Sequence, residues 1–189
     1  GMLLLVKRIA YSNPRQLVLK SPPHTARIKT LLELFPRARF IHLVRDPQVM
    51  IPSTVHMWKR MSQSMGLQHG CCEQVVDRVF DNFSRMYRSF EKQRDLIPKN
   101  RLVELRFEDL TCDMLAQVQR IYQCLSLGDF ERVRPGMEQF RQEVADYRPN
   151  VYQLSAELRA RIATMCRPYT QRYGYPAPCT GMLSGRPSR

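Results

Sequence analysis

The sequence predicts an α/β protein in which helices cover both faces of a parallel sheet. Short, continuous apolar segments alternate along the chain with longer segments of helical periodicity. Strands that are buried on both faces read as unbroken apolar runs, and a helix usually connects one parallel strand to the next. The length of 189 residues suits one domain with a substantial core. We therefore expect a single domain over residues 1–175 and a loosely ordered tail, rich in proline, glycine and serine, over 176–189.

The N-terminal part of the chain predicts a helix, a strand, a turn and a second helix. Residues 2–11 have the pattern of a short amphipathic helix, and RQLVLK (15–20) reads as a brief apolar strand. The segment SPPH (21–24) predicts a turn, because two prolines cannot continue a central strand. TARIKTLLELF (25–35) then places apolar residues at helical spacing, with Thr25 as the N-cap.

The segment RFIHLV (39–44) predicts a second buried strand that runs directly into a helix. Asp46 supplies an N-cap side chain. Pro47 falls at the first helical position. Proline lacks a backbone N–H, but an N–H at this position would have no partner within the helix, so nothing is lost. We expect this helix to continue to about residue 65 and a loop to follow over 66–70.

The remainder of the chain predicts one more strand among several helices. RLVELRF (101–107) reads as the third strand. The long helix expected over 72–96 carries an apolar stripe, which core packing explains and which pairing with a second copy of the chain would also bury. Further helices are expected over 112–125, 131–145 and 155–173.

An excess of positive charge favours an anionic partner. The formal net charge is +13 and the isoelectric point is about 9.9. Nucleic acid, membrane headgroups and phosphorylated small molecules all meet that requirement. The cations are spread along the chain and form no Lys/Arg block, so a solvated basic surface accounts for them equally well.

The cysteine pattern predicts reduced thiols and no metal site. None of the six cysteines belongs to a C-x-x-C pair or to a set with zinc-ligand spacing. Reduced cysteines are typical of a cytoplasmic setting. The apolar segment 2–6 is too short for a signal sequence or a membrane span.

A basic residue lies at the carboxyl end of each of the three predicted strands. Lys20, Arg45 and Arg106 stand at their carboxyl ends. Because the carboxyl ends of parallel strands meet at one edge of a sheet, and ligands collect there, the three cations predict an anion site. Strand ends meet solvent, and a basic residue there can serve solubility alone. That explanation accounts for any one of the three cations as well as ligand binding does, but it accounts for all three together less well.

Arg45 is placed to hold a phosphate group. It directly precedes the N-terminus of the predicted helix, where free N–H groups and the helix dipole favour an anion. Its planar guanidinium suits bidentate recognition of phosphate. Ser53 lies two helical turns after Asp46 and faces the same way, so we expect its hydroxyl to add a hydrogen bond to the anion. Asp46 itself is expected to cap the helix rather than touch the anion.

These residues resemble a known family. LVLKSPPHTARIKTLLELFPRARFIHLVRDPQVMIPSTV (17–55) resembles the central segment of sulfotransferases that use 3′-phosphoadenosine-5′-phosphosulfate (PAPS), especially the bacterial branch with a K-S-P-x-H turn. LRFEDLTCDMLAQVQRIYQCLSL (105–127) is similar to the family's R-Y-E-D-L landmark, and RYGY (172–175) also fits. The resemblance implies a P-loop-NTPase-like three-layer sandwich and transfer of a sulfuryl group from PAPS to a hydroxyl or amine acceptor, without a metal.

The resemblance also implies roles for individual residues. Arg45 and Ser53 would bind the 3′-phosphate of PAPS, with Arg106 as a further cation at the same site. Lys20 would stabilise the bridging oxygen or the sulfuryl group. His24 would serve as the general base, a role that histidine often takes, although packing at the turn explains it equally well. Phe107 stands where a tyrosine of the family commonly hydrogen-bonds the adenine. Because phenylalanine has no hydroxyl, its ring could only pack there.

The chain departs from the family pattern in its first residues. Residues 1–20 contain no G-x-x-x-x-G or other glycine-rich turn of the kind that cradles the 5′-phosphosulfate. We therefore expect the sheet and the donor site to be incomplete at the N-terminus.

Two other interpretations remain open. One is a catalytically inactive sulfotransferase-like protein that binds nucleotide or serves a structural role. The other is a basic nucleic-acid-binding module, which lacks the expected interleaved aromatic residues. The acceptor is not specified.

Overall fold

The computed structural model describes residues 1–65, 74–146 and 150–176. Within these ranges, strands β1 and β2 alternate with helices α1 to α9, and four short 3₁₀ turns join some of them. The strands are β1 (Phe40–Val44) and β2 (Leu102–Arg106). The helices are α1 (Met2–Ser12), α2 (Ile28–Leu34), α3 (Pro47–Met65), α4 (Val75–Gln93), α5 (Phe107–Cys112), α6 (Met114–Leu125), α7 (Arg134–Glu143), α8 (Ala156–Met165) and α9 (Arg167–Tyr173). The predicted loop over 66–70 and residues 177–189 of the predicted tail lie outside the described residues.

The two strands form a parallel pair in which both end at the same level. Phe40 lies opposite Leu102 and Val44 opposite Arg106. Helices α3 and α4 provide the crossover that a parallel pair requires. This confirms the predicted α/β class with a parallel sheet. The shared register also places the residues that follow β1 beside those that follow β2.

The prediction of a strand over 15–20 is wrong. This segment has no regular secondary structure, and the strand pairing within the described residues is between β1 and β2 alone. A strand is stabilised by hydrogen bonds to a neighbouring strand, so an apolar run without such a neighbour does not become one. Val18 is accordingly 86% exposed. Lys20 therefore does not stand at a strand end, and the prediction of a cation after each of three strands holds only for Arg45 and Arg106.

The prediction of Thr25 as a helix N-cap is also wrong. The two prolines begin a 3₁₀ turn over Pro22–Ala26 that includes Thr25, and α2 starts only at Ile28, with Arg27 at its N-cap. The carbonyl of Ala26 accepts hydrogen bonds from side chains of α4, so the turn is attached to that helix. The proline pair therefore forms a turn as predicted, but the turn takes up the residues assigned to the start of the helix.

Other helix boundaries differ from the sequence prediction for similar local reasons. Residues 155–173 form two helices, because Pro168 stands in the first turn of α9 and cannot donate the backbone hydrogen bond that one continuous helix would need. The predicted strand 101–107 ends at Arg106, and Phe107 begins the short helix α5. Within the described residues, no helix combines the length and the apolarity that crossing a bilayer requires.

The largest core cluster packs the end of β1 against helices from both halves of the chain. Val44 of β1 lies in the same cluster as Ile51 of α3, Phe80 of α4 and Ile162 of α8, all at most 2% exposed. Tyr169 of α9 belongs to it and is 4% exposed. The C-terminal helices are therefore fixed against the junction between β1 and α3, which positions them to influence that junction.

A polar network crosses the middle of the sheet. Glu104 of β2 lies opposite His42 of β1, and their side chains are 3.3 Å apart. Tyr173 donates its hydroxyl proton to Glu104 at 2.6 Å, and Arg94 donates from Nε at 2.9 Å and from a second nitrogen. Burial alone would raise the pKa of Glu104, but these hydrogen bonds and the Arg94 charge outweigh it and lower the pKa to about 2. Glu104 therefore joins β1, β2, α9 and the 3₁₀ turn that contains Arg94.

Candidate functional site

The carboxyl edge of the sheet carries two guanidinium groups that lie over aromatic rings. The Cζ atom of Arg45 is 4.4 Å from the centroid of Phe107, and that of Arg106 is 4.6 Å from the centroid of Tyr175. Aromatic faces attract and orient a guanidinium without removing its charge. Within residues 1–65, 74–146 and 150–176, neither arginine forms an ion pair. Both charges therefore remain available to an anionic ligand.

Arg106 has a further property of an anion ligand. Its Nε atom is buried and has no hydrogen-bond partner among the described residues. A buried N–H that lacks a partner is energetically costly, and such a group in a folded protein calls for an explanation. A shift of the side chain toward a bound anion would let a phosphate oxygen satisfy it. The unpaired charge of Arg106 thus adds to that of Arg45 at this edge, and the assignment of both to a phosphorylated ligand stays a prediction.

Helix α3 begins immediately after Arg45, with the capping chemistry that the sequence predicted. The Oδ1 atom of Asp46 accepts a hydrogen bond from the backbone N–H of Gln48 at 2.8 Å. Burial raises the pKa of Asp46, the Gln48 hydrogen bond opposes this effect, and the nearby carboxylate of Glu108 adds to it. The carboxylate of Asp46 is therefore engaged in the cap, and the helix N-terminus is directed toward the same edge as Arg45.

Loss of this cap is expected to destabilise the fold. We expect Asp46→Ala to lower the free energy of unfolding by about 1 kcal/mol, because one N–H in the first turn of α3 loses its partner. Urea unfolding would measure the change. Asp113→Ala is a matched control, since Asp113 caps α6 through the N–H of Ala116 at 3.1 Å, and we expect a similar loss from it. Asp46→Ala unfolding at the same urea concentration as the parent would contradict the assignment.

The backbone at this junction is held by side chains that sequence reasoning missed. The hydroxyl of Tyr169 accepts a hydrogen bond from the N–H of Arg45 at 3.0 Å and donates one to the carbonyl of Arg45 at 3.2 Å. The N–H of Asp46 donates to Oε1 of Glu108 at 3.0 Å, and the Tyr175 hydroxyl donates to Oε2 of Glu108 at 2.8 Å. Burial raises the pKa of both tyrosines, so their hydroxyls stay protonated and able to donate.

The other predicted site residues occupy varied surroundings. Ser53 is half-buried on α3, and its hydroxyl makes no hydrogen bond that the structure describes. Lys20 is exposed in the irregular segment before the 3₁₀ turn. His24 is half-buried within that turn, and its Nδ1 atom is enclosed without a partner among the described residues. No described hydrogen bond or ring contact joins Lys20 or His24 to the arginine edge, so the structure groups Arg45, Arg106 and Phe107 but not the two predicted catalytic residues.

Two further histidines lie on β1 and α3. His42 lies in β1 with its ring 4.0 Å from that of Phe90. His56 is exposed on α3, and its ring lies 5.7 Å from Tyr152. Within the described residues, no group of three or more His, Cys, Asp and Glu side chains is arranged to hold a metal ion.

A cleft among the described residues lies elsewhere. It has a volume of about 480 Å³ and is lined by residues that include Arg94, Lys99 and Leu102, near the start of β2. Its lining contains carboxylates as well as cations, and the Arg94 charge is already paired with Glu104. The arginine edge has unpaired positive charge and a helix N-terminus, so it is the better candidate for binding an anion.

Comparison with known proteins identifies the family of the chain. A family profile described as "Sulfotransferase family" matches residues 4–132. The chain is 41% identical over 170 residues to two proteins named omega-hydroxy-beta-dihydromenaquinone-9 sulfotransferase Stf3, from Mycobacterium bovis and Mycobacterium tuberculosis. The alignment covers 90% of this chain and 44% of each relative, so the chain spans less than half of their length. No solved structure matches it. The resemblance predicted from the sequence is confirmed, and the chain belongs to the sulfotransferase family.

Proposed function

We propose that this chain provides the part of a sulfotransferase that binds the 3′-phosphate of PAPS, for transfer of the sulfuryl group to a hydroxyl acceptor. The observation that carries the proposal is the pair of arginines at the carboxyl edge of the sheet. Both guanidinium groups lie over aromatic rings, neither has an ion-pair partner among the described residues, and a helix N-terminus begins beside them. This arrangement favours a doubly charged phosphate.

Each residue has a defined task in this proposal. Arg45 donates two hydrogen bonds to the 3′-phosphate, Ser53 adds a third, and Arg106 contributes its charge and its Nε–H. Lys20 stabilises charge on the sulfuryl group or the bridging oxygen, and His24 takes the proton of the acceptor hydroxyl. Sulfuryl transfer resembles phosphoryl transfer in that charge spreads over equatorial oxygens, so positioning and cationic stabilisation provide most of the catalysis.

The relatives suggest a class of acceptor. Their names specify an omega-hydroxylated dihydromenaquinone, which is an apolar molecule with a hydroxyl group. A hydroxyl on a long apolar molecule is therefore the acceptor class that we propose for this chain, in preference to an amine. The 41% identity over most of the chain supports the proposal.

A second candidate is nucleotide binding without transfer. It is favoured by one observation: no described hydrogen bond or ring contact joins Lys20 or His24, the two predicted catalytic residues, to the arginine edge. A radiolabelled transfer assay separates the two candidates. The chain is incubated with ³⁵S-labelled PAPS and an ω-hydroxylated menaquinone, and the same menaquinone without the ω-hydroxyl serves as the control acceptor. Label in the hydroxylated product alone supports the sulfotransferase.

Binding is measured in parallel by calorimetry with adenosine 3′,5′-bisphosphate and with 5′-AMP. We expect the bisphosphate to bind at least about tenfold more tightly, because it alone carries the 3′-phosphate that Arg45 would contact. Selective binding of the bisphosphate without transfer would favour the inactive protein. Equal affinity for the two nucleotides, or no binding of either, would contradict both candidates.

A further inference from the structure

The backbone of Arg45 requires support from outside the sheet. Residue 44 is the last of β1, and its partner Arg106 is the last of β2, so Arg45 lies just beyond the hydrogen-bonded ladder. A residue in that position is free to change its φ and ψ angles unless other groups satisfy its N–H and carbonyl. Such a change would move the guanidinium away from any bound anion.

Tyr169 supplies that support through one atom. Its hydroxyl satisfies both the N–H of Arg45 at 3.0 Å and the carbonyl of Arg45 at 3.2 Å. The tyrosine is itself immobilised, because it is 4% exposed and its ring meets those of Phe83, Tyr87 and Tyr173 at 4.8 to 5.2 Å. The hydroxyl is therefore a fixed point against which the backbone of Arg45 is held.

The neighbouring residue is held in a second, independent way. The N–H of Asp46 donates to Glu108, whose other oxygen accepts the hydroxyl proton of Tyr175. Tyr175 also provides the ring beneath Arg106. The C-terminal tyrosines thus contact the backbone under one arginine and the side chain of the other, although they lie more than 120 positions after Arg45 in the chain.

We propose that Tyr169 is a positioning residue of the anion site: its hydroxyl fixes the backbone of Arg45 so that the guanidinium, supported at its far end by Phe107, faces the 3′-phosphate. This inference rests on the proposed function, since it assigns Arg45 to that phosphate. Glu108 and Tyr175 extend the same support to Asp46. Helix α9 is in this way a component of the nucleotide site without touching the nucleotide.

Removing one hydroxyl tests the inference. We expect Tyr169→Phe to weaken binding of adenosine 3′,5′-bisphosphate by about fivefold, the effect of one neutral hydrogen bond, and to leave binding of 5′-AMP unchanged. Tyr87→Phe is the matched control. Its ring lies in the same aromatic cluster, 4.8 Å from that of Tyr169, but its hydroxyl bonds to neither Arg45 nor Asp46. We expect it to leave both affinities unchanged.

A double variant distinguishes positioning from a general structural role. If Tyr169 acts through Arg45, adding Tyr169→Phe to Arg45→Ala should cause no further loss of bisphosphate affinity. An additional fivefold loss in the double variant would overturn the inference, as would an equal loss for 5′-AMP or for Tyr87→Phe. If Tyr169→Phe does not fold, hydrogen exchange of the Arg45 amide in the parent protein decides. We expect that amide to be protected, because its N–H donates to the buried Tyr169 hydroxyl, and exchange at the rate of an exposed amide would also overturn the inference.

Failure of the inference and failure of the proposed function give different results. If Arg45→Ala abolishes the preference for the bisphosphate while Tyr169→Phe retains it fully, the 3′-phosphate assignment stands and the positioning role is wrong. If Arg45→Ala retains the preference, the proposed function itself is wrong and the positioning role falls with it.

Discussion

Replacing Arg45 with alanine is expected to weaken binding of adenosine 3′,5′-bisphosphate by about 100-fold. The expected loss corresponds to roughly 2.7 kcal/mol, the scale of a bidentate, charge-assisted interaction with a phosphate. The structure supports a large effect, since the guanidinium lies over Phe107, has no ion-pair partner among the described residues and stands beside the N-terminus of α3. Titration calorimetry at fixed ionic strength would measure it.

The control for this experiment removes the same charge elsewhere. Arg88 is exposed on α4, so Arg88→Ala lowers the net charge by one unit without altering the edge of the sheet. We expect its effect on bisphosphate affinity to be less than about twofold, because an exposed and distant charge is screened by salt. Arg45→Lys should recover only part of the affinity, since a lysine cannot donate in a bidentate manner. Equal losses from Arg45→Ala and Arg88→Ala would show that the arginine acts only through overall charge.

Replacing Glu104 with glutamine is expected to lower the free energy of unfolding by about 2 kcal/mol at pH 7, because the partly exposed guanidinium of Arg94 loses its charged hydrogen-bond partner. The side chain of Glu104 is 17% exposed and accepts hydrogen bonds from Arg94 and Tyr173. An amide can replace only some of these interactions. Urea unfolding monitored by circular dichroism would measure the loss, and Glu131→Gln is the control, since its ion pair with Arg134 is on the surface and should contribute nothing measurable.

The same network predicts a pH dependence with a defined sign. The pKa of Glu104 is lowered from 4.5 to about 2 in the folded protein. Its stabilising contribution is therefore complete above pH 4.5 and disappears as the pH falls toward 2, where the folded state must also take up the proton. The stability difference between the parent and Glu104→Gln should shrink over that interval. A difference that stays constant from pH 7 to pH 2.5 would show that Glu104 contributes through packing rather than through its charge.

The parts of the fold that were predicted correctly depend on local signals. The strand at 39–44, the Asp46 cap and helix α3 are encoded by a short apolar run followed directly by capping residues. The strand predicted over 15–20 has a similar apolar run, but forming it would require a neighbouring strand that the described residues do not contain. Local sequence can indicate that a segment is suited to a strand, whereas pairing is decided by the rest of the sheet.

The candidate site was predictable only in part for the same reason. Arg45 and Arg106 could be identified because each follows an apolar strand, and parallel strands bring their carboxyl ends together. Tyr169 could not be identified, since its contact with Arg45 spans 124 positions and depends on how α9 packs. The contact between Phe107 and Arg45 could not be identified either, since the resemblance places this residue near the adenine and says nothing of the guanidinium over its ring.

The most direct test is to locate the 3′-phosphate in a crystal structure of the chain with adenosine 3′,5′-bisphosphate. The account predicts phosphate oxygens within about 3 Å of the Arg45 guanidinium and the Ser53 hydroxyl, with the Arg45 backbone still held by Tyr169. A phosphate bound in the cleft near Arg94 and Lys99, or bound with Arg45 facing solvent, would contradict it.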